Sequence, residues 1–324
     1  MKLGVLTALF ADRPFEEALE LARSAGLDCV EVGTGNYPGG SHCDLDRLLA
    51  SASERESYLD AVTSRGLEIS ALSCHGNPLH PRPEVAQASH DVYRRTVELA
   101  EKLEVPCVNL FSGCPGDSDS ALHPNWVTCA WPPDYAELLE WQWREKVIPY
   151  WKEEAAYAGA HRIRLGFEMH PGFVVYNPAG LLRLREACGE AVGANFDPSH
   201  LFWQGIDVET AIAELGAAGA IHHVHAKDTG INARNTARNG VLDTTPLDRV
   251  GQRSWVFRTV GYGHGESEWK RIVSALRLAG YEGVLSIEHE DALLSVEEGF
   301  LRGVEFLRRL VPTEPAVSDA WWTR

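Results

Sequence analysis

The chain alternates between two kinds of segment. Short runs rich in β-branched and other apolar residues recur at LGVLTALF (3–10), CVEVGTG (29–35), EISALSCHG (68–76), VPCVNLFSG (105–113), IRLGFEMH (163–170), VGANFDPSH (192–200), IHHVHAKD (221–228) and GVLSIEHED (283–291). Each reads as a strand of a buried parallel sheet. Longer stretches with helical periodicity lie between them, among them FEEALELARSAG, SHDVYRRTVELAEKLE, AELLEWQWREKVIPYWKEEAAYAG, AGLLRLREACG, DVETAIAELGAAG and EWKRIVSALRLAG. Several end in Gly, a helix C-terminal signal that turns the chain back to the sheet. The last unit, SVEEGFLRGVEFLRRL, opens with Ser295 and Glu298 at capping-box spacing.

Strand followed by helix, eight times over, predicts a single (β/α)8 barrel spanning residues 1–311, with a C-terminal tail at 312–324. An open doubly wound sheet is the rival, but it leaves exposed edges and does not usually carry eight regular units. The length of 324 residues suits one barrel with insertions. Two connections are long: 114–133 after the fourth run and 229–267 after the seventh, both on the side where barrel enzymes build their sites. Their aromatics (Trp126 and Trp131; Trp255, Phe257 and Tyr262) either wall a substrate or simply pack a long loop. Trp321 and Trp322 in the tail either cap the barrel or meet a neighbouring subunit.

Composition narrows the partners. Hydrophobic content of 44% and charged content of 23% are ordinary for a protein with a large core. The formal net charge of −16 argues against nucleic acid and against an anionic membrane surface, both of which are bound through clustered Lys and Arg. No stretch approaches the length of a membrane-spanning helix, and the N-terminus reads as a first strand rather than a signal peptide. Seven scattered cysteines without CxxC spacing indicate reduced thiols and a cytoplasmic location. Neither a GxxxxGK[ST] phosphate loop nor GxGxxG after a first strand is present, so a nucleotide cofactor is not indicated.

The chemistry collects at the ends of the last four runs, FEMHPG, NFDPSH, HHVHAKD and SIEHED. Alternate residues of a barrel strand face inward, so Glu168 shares a face with His170, His223 with His225, and Glu288 with Glu290. One such residue is usually a satisfied polar group. Acidic or imidazole groups on four consecutive strands are costly inside a core unless paired or bound to metal. Three carboxylates and one imidazole suit a single divalent ion, with Mn²⁺ preferred and Mg²⁺, Co²⁺ or Zn²⁺ also compatible.

These motifs resemble the xylose-isomerase-like barrel superfamily of sugar isomerases and epimerases, which also holds inosose dehydratases and family-2 apurinic endonucleases. The resemblance covers about residues 1–310, and its most specific pieces are HxHxKD at 223–228 and FDPSH at 196–200. It implies metal ligands Glu168, Asp197, His225 and Glu288, with the second His of the HxH pair taken over His223. It also implies that Glu168 and Glu288 exchange a proton with a sugar carbon. A proton beside a carbonyl is weakly acidic, so a carboxylate base must be held in reach while the metal spreads the enediolate charge.

Other residues join as candidates. His170 is a further acid or base. His75, His200, Lys227, Arg258 and Trp126 are candidates to contact a small carbohydrate substrate, though Lys227 and Asp228 can equally pair with each other. The implied activity is a metal-dependent isomerase or epimerase. The alternative is a lyase or dehydratase that expels a substituent from a 3-keto sugar or 3-keto glycoside; the 114–133 insert and His170 fit a bulkier substrate of that kind. A repair endonuclease, with its trinuclear zinc site and basic face, is disfavoured by the charge. A non-catalytic binding subunit has no chemical need for both glutamates. A homo- or hetero-oligomer is expected.

Overall fold

A computed structural model describes residues 1–314; Trp321 and Trp322 lie outside the described residues. Parallel strands β1 (Lys2–Leu6), β2 (Cys29–Gly33), β3 (Glu68–Ser73), β4 (Cys107–Leu110), β5 (Arg164–Glu168), β6 (Val192–Phe196) and β7 (Ile221–Ala226) run in order around a closed barrel. Outside it lies an antiparallel ribbon of β8 (Asp228–Ile231) and β9 (Trp255–Arg258). The last barrel strand, β10 (Val284–Ile287), sits between β7 and β1. The expected single (β/α)8 barrel is therefore the fold. Each anticipated run contains one strand, but the strands stop short of the run ends. His75, His170, Asp197, His200 and Glu288 follow the last paired residue of their strands, where the chain turns over the barrel mouth.

Alternation sorts the strand residues. Val30, Val32, Leu165, Phe167, Val224 and Leu285 join the apolar layer under the helices, against Trp151, Trp269, Phe300 and Leu307. The alternate set is polar: Glu31, Ser73, Asn109, Asn195, His223, His225 and Ser286, all buried. Glu31 of β2 reaches His225 of β7 at 3.0 Å, and Asn109 of β4 reaches Glu31 at 2.8 Å and His223 at 3.2 Å. Contacts between strands that are not neighbours can pass only through the barrel interior. That interior is filled by hydrogen-bonded polar side chains where a barrel more often holds branched apolar ones. Space is tight: a Cβ on Gly166 of β5 would collide with Asn109 Oδ1. Register shifts at Val30/Glu31 and Ala194/Asn195 fall at two members of this layer.

The insert 114–133 contains no regular secondary structure until its last residue, Pro133, which opens a long helical run: Pro133–Trp141, a π-helical turn Gln142–Val147, and Ile148–Ala160. The wide turn comes just before Pro149, whose ring cannot follow a regular helical ladder. Within the turn, buried Gln142 donates Nε2–H to the carbonyls of Pro115, Gly116 and Asn125 at 3.3, 3.0 and 2.8 Å, pinning the start and the middle of the insert. The final helix, Val296–Arg308, starts as its capping box predicts, with Ser295 Oγ accepting the Glu298 N–H at 3.2 Å. No helix among the described residues is long and apolar enough to cross a membrane. All seven cysteines are free thiols.

Candidate metal centre

Four acidic or imidazole side chains converge over the mouth of the barrel. Glu168 ends β5, His225 lies near the end of β7, and Asp197 and Glu288 directly follow β6 and β10. One ligand atom from each lies within 4.8 Å of the others. His225 Nδ1 is 3.0 Å from Glu288 Oε2 and 3.4 Å from Glu168 Oε2. Asp197 is held by its own strand-to-helix turn: Oδ1 accepts the Ser199 N–H at 2.8 Å and caps the helix Pro198–Gln204. Its buried Oδ2 has no hydrogen-bond partner, although His200 Nε2 and Lys227 Nζ each lie 3.3 Å away. A buried oxygen without a partner, within a cluster of three carboxylates and one imidazole, is compatible with a bound cation. The residues present fit a divalent ion bound through oxygen and one imidazole nitrogen.

The charges respond to this crowding. Burial works against ionised Glu168, but hydrogen bonds from His200, His225 and His75 hold its carboxyl well below the usual carboxylate range. Burial also works against Glu288, and the Lys227 ammonium and His225 bring it down to about 2. His225 resists burial through Glu31 and Glu288 and stays protonated well above the ordinary histidine range. Lys227, enclosed yet facing Glu288, Glu290 and Asp197, is likewise pushed up. In the metal-free chain, protons on His225 and Lys227 do the neutralising that an ion would otherwise do.

Residues 19–310 match the family model described as xylose isomerase-like TIM barrel. The chain belongs to the xylose isomerase-like TIM-barrel family. It is 39% identical over 314 residues to the Bacillus subtilis (strain 168) protein YfiH, described as uncharacterized, covering 96% of this chain and 99% of that one. Among solved structures it resembles a D-tagatose 3-epimerase-like protein at a TM-score of 0.63 and 19% identity, covering 96% of this chain and 98% of the other. It also resembles the "probable 3-DHS dehydratase AsbF" of Bacillus anthracis at a TM-score of 0.65 and 16% identity, covering 95% and 99%. At such identities the two structures speak for the fold.

This xylose isomerase-like barrel gathers most of the residues singled out from the sequence. His200 Nε2 lies 2.9 Å from Glu168 Oε1, and His75 Nε2 lies 3.1 Å from Glu168 Oε2. His170 packs beside His200, ring centroids 4.1 Å apart, with Nδ1–H donated to the Pro171 carbonyl at 2.6 Å. Burial, then the charge of His200, pushes its pKa down to about 3. That ring is neutral near pH 7. Lys227 Nζ donates to Glu288 and Glu290 at 2.9 Å each and rests 4.6 Å from the Phe257 ring centroid. A pair between Lys227 and Asp228 does not form. Neighbours on an extended strand face opposite ways, and Asp228 instead accepts the backbone N–H groups of Gly261, Gly263 and His264 at 3.0, 3.1 and 2.9 Å.

Two candidates stand elsewhere. Arg258, on β9, donates Nε–H to Asp291 at 2.8 Å, and Trp126 packs edge-on against Tyr176. Neither lines the cavity above the four clustered side chains, which has a volume of about 640 Å³. Its lining is mixed: His75, Glu168, His170, Lys227, Glu288 and Glu290 are polar, and Leu6, Leu9, Pro38, Phe111 and Phe173 are apolar. Of the loop aromatics, Trp255 stacks on Trp203 and Phe257 lies edge-on to His200, while Trp131 is 75% exposed.

One buried acid in contact with the cluster escapes the sequence motifs. Glu31, fully buried on β2, places both carboxylate oxygens 3.0 Å from His225 Nε2. Its signal was a lone acid inside the apolar run CVEVG, a residue that a buried strand tolerates only with a partner. His223, the other imidazole of the HxH pair, lies deeper, bonding Ser70 at 3.2 Å and Asn195 at 3.1 Å.

Proposed function

We propose that this barrel is a divalent-metal-dependent enzyme that moves a proton on the carbon beside the carbonyl of a sugar or keto-sugar, through an enediolate, as an isomerase or epimerase. The observation that carries this reading is the convergence of Glu168, Asp197, His225 and Glu288 within 4.8 Å of one another beneath an open cavity. A bound divalent ion, Mn²⁺ by preference, would supply Lewis-acid polarisation of the substrate's carbonyl and hydroxyl oxygens. Asp197 and His225 then serve chiefly as ligands. Glu168 and Glu288 lie on strands separated by β6 and β7, so their carboxylates approach a substrate from two flanks. One takes the proton and the other returns it. Both are held ionised, so either can begin as the base. His200, hydrogen-bonded to Glu168, helps fix its orientation, and His75, 3.1 Å from the same carboxylate, lines the cavity where a substrate hydroxyl would lie.

A second reading keeps the site and changes the product. The apolar lining residues Leu6, Leu9, Pro38, Phe111 and Phe173 offer no side-chain hydrogen bond to a sugar hydroxyl and suit a bulky substituent. With a 3-keto sugar or 3-keto glycoside, loss of the proton next to the ketone would expel that substituent, making the enzyme a lyase or dehydratase. His170 stands beside the reacting region in that case.

The test is solvent-deuterium exchange into free and glycosylated keto-sugars, with wild-type protein loaded with Mn²⁺ and with the Glu168→Gln and Glu288→Gln variants. Wild type is expected to label one carbon and each variant to lose the labelling. A product of unchanged mass marks epimerisation or isomerisation; a released substituent marks elimination. Unchanged turnover in either variant would sink the acid/base assignment.

A further inference from the structure

The barrel interior contains a carboxylate that the proposed chemistry does not use. Glu31 sits on β2, on the far side of the barrel from His225, and is completely enclosed. Its oxygens are filled. Oε1 accepts from Ser73 Oγ at 2.5 Å and Asn109 Nδ2 at 2.8 Å, Oε2 accepts from Ser286 Oγ at 2.6 Å, and His225 Nε2 lies 3.0 Å from both. With its lone pairs taken by donors from β3, β4, β7 and β10, Glu31 has none left for an ion. The trio Glu31, His223 and His225, whose ligand atoms are close enough to suggest a second site, is thus a wired network.

That wiring has a direction. An imidazole that donates from Nε2 keeps its lone pair on Nδ1, and Nδ1 is the atom aimed at Glu288 and Glu168. We propose that Glu31 is a positioning residue: it fixes the Nε2–H tautomer and the ring plane of His225, and so delivers Nδ1 to the metal. The inference rests on the metal reading above. Carboxylates behind a ligating histidine raise its basicity and orient it, and losing one typically weakens metal binding about 10–100-fold. Ser73, Asn109 and Ser286 hold Glu31 in turn, so His225 is oriented by three strands besides its own and β2.

The experiment uses the full chain and two probes. Titration calorimetry with Mn²⁺ compares wild type with Glu31→Gln, whose amide keeps the shape but offers N–H groups to Nε2. Proton–nitrogen spectra of the Zn²⁺-loaded, histidine-labelled protein report which nitrogen of His225 carries the proton. The expected result is a folded Glu31→Gln protein with Mn²⁺ affinity down 10–100-fold and without the Nε2–H signature that wild type shows. Equal affinity in a folded Glu31→Gln protein overturns the positioning role and leaves the metal site standing. If Glu31→Gln fails to fold, the wild-type spectrum decides: a proton on Nε2 supports the role, and a proton on Nδ1 overturns it. Wild type that binds neither ion overturns the metal reading itself, and the inference with it.

Discussion

Replacing Lys227 by Met removes one positive charge from an enclosed place and keeps most of the side chain's length. Lys227 Nζ faces Glu288 and Glu290 at 2.9 Å and Asp197 at 3.3 Å. The Glu290 side chain is about half exposed, at 51%, so solvent screens that leg and it contributes little. Asp197 is enclosed and Glu288 is 18% exposed, and stranding a buried charge by deleting its partner costs about 3–5 kcal/mol. In a chain of this size each kcal/mol moves the melting temperature by roughly 2 °C, so metal-free Lys227→Met should melt about 6–10 °C below wild type. A divalent ion supplies the missing charge to the same carboxylates. Saturating Mn²⁺ should therefore raise the variant's melting temperature more than wild type's and narrow the gap. Thermal melts by circular dichroism, in chelator and in Mn²⁺, read both quantities. A metal-free variant within about 2 °C of wild type, under ~1 kcal/mol on this scale, would refute the charge argument. So would an Mn²⁺ shift no larger than wild type's.

Three further outcomes follow from the geometry. Metal must displace the Nδ1 proton of buried His225, whose pKa Glu31 and Glu288 raise well above the ordinary range, so Mn²⁺ affinity should rise with pH, approaching ~tenfold per unit below that pKa; calorimetry in two buffers of different ionisation enthalpy should show proton release, and an affinity indifferent to pH contradicts this. Gly166→Ala forces a Cβ into Asn109 Oδ1, an overpacking worth about 1–3 kcal/mol in urea melts, and a neutral result would mean that the interior layer yields more readily than its contacts imply. Asp228→Asn turns an amide toward N–H groups that need an acceptor, so it should cost about 1–3 kcal/mol and expose residues 259–264 to proteases; an unchanged cleavage pattern would count against Asp228 as the anchor of that segment.

The barrel was legible because each strand announces itself twice, by an apolar run and by the helical segment that follows. The clustering of Glu168, Asp197, His225 and Glu288 was legible because acids and histidines at the ends of four consecutive strands have no bland explanation as a group. Glu31 was not, because its partner His225 is 194 positions away and a strand's alternation says which face a residue takes, not what it meets across the barrel. The β8–β9 ribbon was missed for a different reason. Its strands are four residues each, buried within a long connection, and their aromatics read equally well as a lid. That ribbon carries Arg258 to Asp291.

The polar interior also bears on how the chain is made. A chain leaving the ribosome N-terminus first places Glu31 long before His225, and 255 positions before Ser286. Until those partners exist, the carboxylate must keep water around it, so a half-built barrel cannot dry its centre. Apolar interiors can collapse strand by strand. Here, dehydration of the interior waits for β10, and closing the ring and expelling its water become a single late event.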